Sequence, residues 1–217
     1  MRLIRAARFA GVAALAAGIY SLLVLRPVYL ESIQTPHPQA AAEESYWQWE
    51  LGGWLWLLTI FSWMILLAAM KHYYSPVHRI STNTQSGLTV ISATLLIVGV
   101  LVGMNRFGLR GILYGNSPVE TVAAVGDFVD YVALTILAAG LLMGGCVTTW
   151  ICVDLVILNK LPVTWMVPGA VAGVLSFLSP LLLPEIRHLL VALLAYCVWC
   201  IVLGMRYSLP AAYLDLE

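Results

Sequence analysis

Six apolar stretches, residues 9–25, 51–70, 88–104, 126–157, 163–183 and 188–205, dominate the chain, and none carries a charge at its centre. A helix needs about 20 mainly apolar residues, rising about 1.5 Å each, to cross the hydrocarbon of a bilayer. Each stretch reaches or nearly reaches that length, and 126–157 exceeds it. Composition points the same way: 61% of the 217 residues are hydrophobic and 10% are charged, against roughly 25% charged in an ordinary soluble domain. A soluble fold of this size could not hide so much apolar surface, whereas a bundle whose outer face meets lipid has no need to. The expected fold is an all-α polytopic integral membrane bundle of six transmembrane helices, forming a single domain over residues 1–217. Formal net charge is zero, and no stripe of Lys and Arg interleaves with stacking aromatics, so nucleic-acid binding is not expected.

Positive charge sets orientation, because short cytoplasmic loops retain Lys and Arg. With the N-terminus inside, Arg2, Arg5, Arg8, Lys71, Arg79, Lys160 and Arg206 are cytoplasmic, and Arg26, Arg106, Arg110 and Arg187 lie outside. The acids Glu31, Glu43, Glu44, Glu50, Glu120 and Glu185 also fall outside. Six spans return the C-terminus to the cytoplasm. Arginines followed by an apolar run also open a signal peptide. The small-residue cluster that resembles a cleavage motif, Ala40 to Ala42, stands too far beyond that run, so the first span is expected to remain.

Local chemistry sets the boundaries. Ser117-Pro118-Val119-Glu120 reads as a capping box with proline at the first helical position, so the fourth long helix is expected to start there and run to Asn159. Pro162 starts the fifth, Pro168 is expected to kink it, and Pro180 and Pro184 divide it from the sixth. The first outer loop, 26–50, carries Pro27, Pro36 and Pro38 and is expected to be extended. The second, 105–117, holds Gly108, Gly111 and Gly115 and reads as turn-rich. Small residues recur four apart at Ala10, Ala14 and Gly18, at Gly99 and Gly103, at Gly140 and Gly144, and at Gly169 and Gly173. Close helix approach in a membrane uses such faces, chiefly within the chain, with homo-oligomerisation as the other use.

Ionisable residues inside a membrane are functional candidates, so their depth matters. From Gly144 as the middle of its span, Asp154 lies about 15 Å toward one side and Asp130 about 21 Å toward the other. Both sit near an interface, and Asp127 shares a face with Asp130 one turn further out. The absence of a central charge argues against a pump or coupled transporter. The outer rim gathers Arg106, Arg110, Glu120, Asp127, Asp130, Glu185, Arg187 and His188. Such a ring is expected either to bind a headgroup, a small polar ligand or a partner's loop, or to form interfacial salt bridges. Trp49, Trp56 and Trp63 recur at seven, and Trp47 with Trp54 form a parallel row. The outermost indoles belong to an aromatic belt. The deeper ones pack against small-residue faces or line a pocket for an apolar ligand.

Metal and haem chemistry find no foothold. His72 and His78 flank a cytoplasmic loop and His188 lies at the opposite side, so no histidine pair shares a depth in the spans, and no Cys or close acid completes a metal set. No nucleophile elbow, phosphate loop or H-E-x-x-H motif occurs. Cys197-x-x-Cys200 has dithiol spacing and one turn of helix puts both sulfurs on one side. Yet Cys197 lies mid-span, without a helix N-terminus or a cation to favour the thiolate. Cys146 and Cys152 lie in another span, so a secreted-type disulfide framework is excluded.

The segment "AGVLSFLSPLLLP", Ala172 to Pro184, resembles part of the membrane thiol transporters of the cytochrome c biogenesis type. There a cysteine follows Ser-Pro. Here that position is Leu181, and no function carries over. The opening "RAARFAGVAALAAGIY" and the segment "LNKLPVTWMVPGAVAGVL" resemble uncharacterised bacterial multi-span membrane proteins of the domain of unknown function 4386 type. That resemblance implies a bacterial plasma-membrane protein without an assigned reaction. The function expected first is a non-catalytic binding or accessory component that holds a lipid, an apolar ligand or a partner subunit. Its candidate residues are Arg106, Arg110, Asp127, Asp130, Arg187, His188, Trp54 and Trp56. The alternatives are a membrane dithiol oxidoreductase using Cys197 and Cys200, and a small-solute transporter. No metal or cofactor other than lipid is expected, and the expected partners are membrane lipid and a partner membrane protein or second copy.

Overall fold

A computed structural model describes residues 2–34, 38–74, 80–114, 118–183 and 187–205, with side chains described for 3–30, 45–72, 80–106, 118, 120–183 and 187–205. The elements are α1 (Arg2–Tyr20), a π-helical turn (Ser21–Leu25), α2 (Arg26–Gln34), α3 (Pro38–Tyr74), α4 (Ile80–Tyr114), α5 (Val119–Ile157), α6 (Val163–Leu182) and α7 (Arg187–Gly204). Among the described residues there is no strand. Among the described residues, six helices are long and apolar enough to cross a membrane: Leu3–Leu30, Ser45–His72, Ile80–Arg106, Glu120–Ile157, Val163–Leu182 and Arg187–Gly204. Each contains all or nearly all of one predicted stretch.

The long helices form a closed ring in the order α1, α3, α4, α5, α6, α7, with α7 returning to α1. Neighbours run antiparallel, as contacts at their ends show: Trp49 near the start of α3 donates to the Gly103 carbonyl late in α4 at 2.9 Å. At the other end Gln85 of α4 reaches Asp154 of α5 at 2.7 Å. Arg8 near the start of α1 reaches the Gly204 carbonyl at the end of α7 at 3.3 Å. Two apolar clusters fill the ring. The larger joins Ala7, Ala10 and Ala14 of α1 to Leu66 and Met70 of α3, Ile151 and Leu155 of α5, Trp165 of α6, and Trp199 and Cys200 of α7. The smaller joins Leu57, Ile60, Leu96, Val100, Leu137 and Leu189.

Small residues set the helix spacing. Where α5 and α6 cross, a Cβ on Gly145 would run into the backbone of Gly173 and Phe177, and one on Gly173 would come within 2.7 Å of the Gly145 carbonyl and the Thr149 amide. Only glycine lets the two backbones meet this closely. Between α4 and α5, Leu137 fills the space over Gly99 and Leu96 that over Gly140. Each of these faces a neighbour in the same chain.

Several boundaries differ from expectation for local reasons. The loops predicted at 26–50 and 105–117 are largely helical, as α2, the start of α3 and the end of α4. Pro27 has no N–H for the carbonyl of Leu23 and its ring crowds that carbonyl. The π-helical turn just before it widens the helix there, with Arg26 N–H bonded to the Ser21 carbonyl. Pro38 is the first residue of α3, where an N–H would have no partner. In α5, Pro118 is the N-cap rather than the first helical residue; its carbonyl takes the Thr121 and Val122 amides at 3.0 and 3.2 Å. Ser117, read as the cap, lies outside the described residues.

The far end of α5 closes in a Schellman motif. Asn159 adopts φ 52°, Lys160 N–H bonds the Leu155 carbonyl at 3.0 Å and Asn159 N–H the Val156 carbonyl at 2.9 Å. Pro180 lies inside α6 instead of ending it. It has no N–H for the Ser176 carbonyl, and the hydroxyl of buried Ser179 donates there at 3.3 Å. Pro184 lies outside the described residues.

Candidate functional site

Where the two clusters meet, the middle of the ring holds a cavity of about 90 Å³. Five helices wall it. α3 presents Trp56, Thr59 and Trp63, one helical face at spacings of three and four. α5 presents Leu137, Gly144 and Thr148, and α7 presents Ala192, Tyr196 and Trp199 on another such face. Leu96 of α4 and Ser176 of α6 complete the wall. The glycines make room for the indoles: a Cβ on Gly144 would touch the Trp63 ring at 3.4 Å, and one on Gly169 would strike the Trp199 indole nitrogen at 2.6 Å.

The polar atoms of this wall bond to the protein. Trp56 Nε1 donates to Ser21 Oγ at 3.0 Å, Trp63 Nε1 to Thr148 Oγ1 at 3.2 Å and Trp199 Nε1 to the Trp165 carbonyl at 3.2 Å. Thr59 Oγ1 donates to the Leu55 carbonyl at 3.0 Å, and Ser176 Oγ to that of Ala172 at 2.8 Å. Ser62 spends its one hydrogen on the Thr59 carbonyl at 2.7 Å, so the 3.4 Å contact with Tyr196 has the phenol as donor.

The predicted rim residues divide. Arg106 is 1% exposed and pairs through Nη1 with Asp130 Oδ2 at 2.6 Å; Asp130 is 20% exposed. The guanidinium also lies 4.4 Å from the ring centre of Tyr29 in α2, and that ring stacks on Trp49 with centroids 6.4 Å apart. Arginine suits this position because one planar cation can serve a carboxylate and an aromatic face together. Asp127 and Arg187 are exposed and His188 is buried. The side chain of Arg110, and Glu185 whole, lie outside the described residues. Trp54 stands 57% exposed on the outer surface, while Trp56, grouped with it from sequence, faces the cavity.

Cys197 and Cys200 are free and buried in the larger cluster, as is Cys152. Cys200 faces α1, where a Cβ on Gly11 would meet its own Cβ at 3.4 Å. Cys146 is exposed. Among the described residues, no three side chains of His, Cys, Asp or Glu come together as a metal ion would require. His78 lies outside them.

Sequence reasoning missed Thr59, Thr148, Tyr196 and Tyr29. The first and third share helical faces with Trp56 and Trp199 and could have been read from that spacing. Tyr29 and Thr148 reach their partners only through the packing of separate helices. Compared with protein families, with curated proteins and with solved structures, the chain finds no match in any of the three.

Proposed function

We propose that this is an integral membrane protein of six spans, with both termini cytoplasmic, that acts without catalysis by holding an apolar ligand, a lipid above all, at the middle of its bundle. The cavity between the two clusters carries the reading: five helices converge on it and three indoles line it. Concave, mainly apolar sites between bundle helices with a few fixed polar groups are the usual form of a small-molecule site.

The outer surface supports insertion. Val12, Ile19, Leu23, Phe61, Ile65, Val90, Val153, Leu194 and Val198 are all exposed, a spread that water would penalise and lipid would not. The excess of Lys and Arg at the end holding Lys71 and Lys160 supports a cytoplasmic placement of that end. Burial of Cys197 and Cys200 weighs against the dithiol alternative, because exchange partners work from solvent. The apolar cavity wall weighs against transport of a polar solute.

The test is native mass spectrometry of protein released gently from its membrane. Retained lipid in the wild type, lost in Ala192→Phe while that variant keeps its helical circular dichroism and elution volume, is the expected result. A wild type that emerges without lipid or other ligand overturns the proposal. Reporter fusions at both termini test orientation, with cytoplasmic signals expected from each.

A further inference from the structure

The size and bonding of the central cavity narrow the ligand, resting on the reading above that the cavity is occupied. We infer that its occupant is the terminal few carbons of an aliphatic chain, and not a ring, a cation or water. Four occupants compete for such a space, and the geometry separates them.

Water is disfavoured because a buried water needs two to four polar partners. Most hydrogens on this wall are committed: the three indole N–H groups to Ser21, Thr148 and Trp165, and the hydroxyls of Thr59, Ser176 and Tyr196 to protein oxygens, which leaves the Thr148 hydroxyl, itself accepting from Trp63, too few polar companions to hold a water. A ring carrying carbonyls, such as a quinone head, would bring acceptors to donors already in use. A plain ring fails on size, since an apolar cavity of about 150 Å³ is the kind that takes benzene, and this one holds about 90 Å³. A cation would find indole faces but no carboxylate among the residues of the wall.

A chain end meets every condition. A methylene is close in size to a water, so the space suits a few carbons in a row. Left empty, the wall atoms would lack dispersion partners on one side. In a bilayer the aliphatic chain is the most abundant group able to supply them. The rest of the chain stays outside the cavity, which is why a space well below the usual ligand pocket of roughly 300 Å³ or more is sufficient.

Photolabelling tests this with the full-length protein in nanodiscs. One probe is a phosphatidylcholine with a diazirine at the end of one acyl chain; a second is a free fatty acid with the same terminal diazirine; a third is an aryl azide on a hydrophobic ring. The expected result is adducts on Leu141, Leu193 or Tyr196 from a chain-end probe. Those adducts are lost in Ala192→Phe and under excess unlabelled palmitic acid, while adducts on outward-facing Leu194 persist. The competition arm needs no variant to fold, and the first two probes tell a phospholipid chain from a free fatty acid. Cavity labelling by the ring probe alone overturns the chain-end assignment and leaves the ligand-holding reading standing. Labelling confined to outward-facing residues with all three probes overturns both.

Discussion

Arg106 and Lys71 are cations at opposite ends of the bundle, and the protein treats them differently. The guanidinium is 1% exposed and meets a carboxylate at 2.6 Å and a tyrosine ring at 4.4 Å. The ammonium is half-buried and donates to the Thr82 carbonyl at 2.6 Å and to the Ser86 hydroxyl. At that same end Asp154 takes its hydrogen bond from the amide of Gln85, a neutral group. Depth explains the contrast. A charge withdrawn fully from water needs an opposite charge and a polarisable face to offset desolvation. One that keeps an open side to solvent manages with dipoles.

The contrast breaks most sharply at Arg106. Arg106→Met leaves Asp130 with its oxygen aimed at an apolar chain, and unfolding in detergent should show a loss of about 3–5 kcal/mol, the usual result of removing one partner of a buried pair. The double variant Arg106→Met/Asp130→Leu should recover most of it. A loss for the single variant below about 1 kcal/mol would mean that the pair behaves like a surface salt bridge. At the other end, Gln85→Leu removes the donor to Asp154 and should cost about 1.5–3 kcal/mol, the range for a hydrogen bond to a charged group. Equal losses from Gln85→Leu and Arg106→Met would erase the distinction between the ends. Lys71→Met should be the mildest, under about 1 kcal/mol, since the stem packs as before and the two dipoles that lose their partner are at most partly buried. Its thermal midpoint should also respond least among the three.

The helices were legible because their cause is local. Twenty apolar residues without a central charge permit little else, and four of the six stretches lie wholly inside a described helix; the exceptions, 163–183 and 188–205, overshoot Leu182 and Gly204 by one residue each. The connections were less legible. Pro27, Pro38, Gly108 and Gly111 signal breaks when read singly, yet each is absorbed: Pro27 by a widened turn, Pro38 by its place at a helix start, and the glycines by a helix long enough to carry them at roughly 1 kcal/mol each. The cavity was half legible. The seven-residue spacing of Trp56 and Trp63 marked one wall, but Thr148, Ser176 and Tyr196 come from helices far apart in the chain and join it only through packing. Arg106 and Asp130 were both marked as rim residues; their pairing with each other, under Tyr29, was beyond the reach of composition or period.

The π-helical turn at Ser21–Leu25 amounts to one surplus residue in an otherwise regular rod. At 3.6 residues per turn, one residue is a rotation of about 100°. The face α1 shows to α3 and α7 therefore does not continue in phase into α2. On either side of it, Ala7, Ala10 and Ala14 lie buried in the larger cluster while Val28 and Tyr29 pack beside Trp49. Deleting any one residue from 21–25 would turn the segment after it by about 100° relative to α1 and leave Pro27 inside a regular turn, where its ring crowds the carbonyl four residues back. The surplus residue acts as a phase shifter, letting a single helix keep two appointments set by different parts of the bundle, while Ser21 within it fixes the indole of Trp56 at the cavity wall.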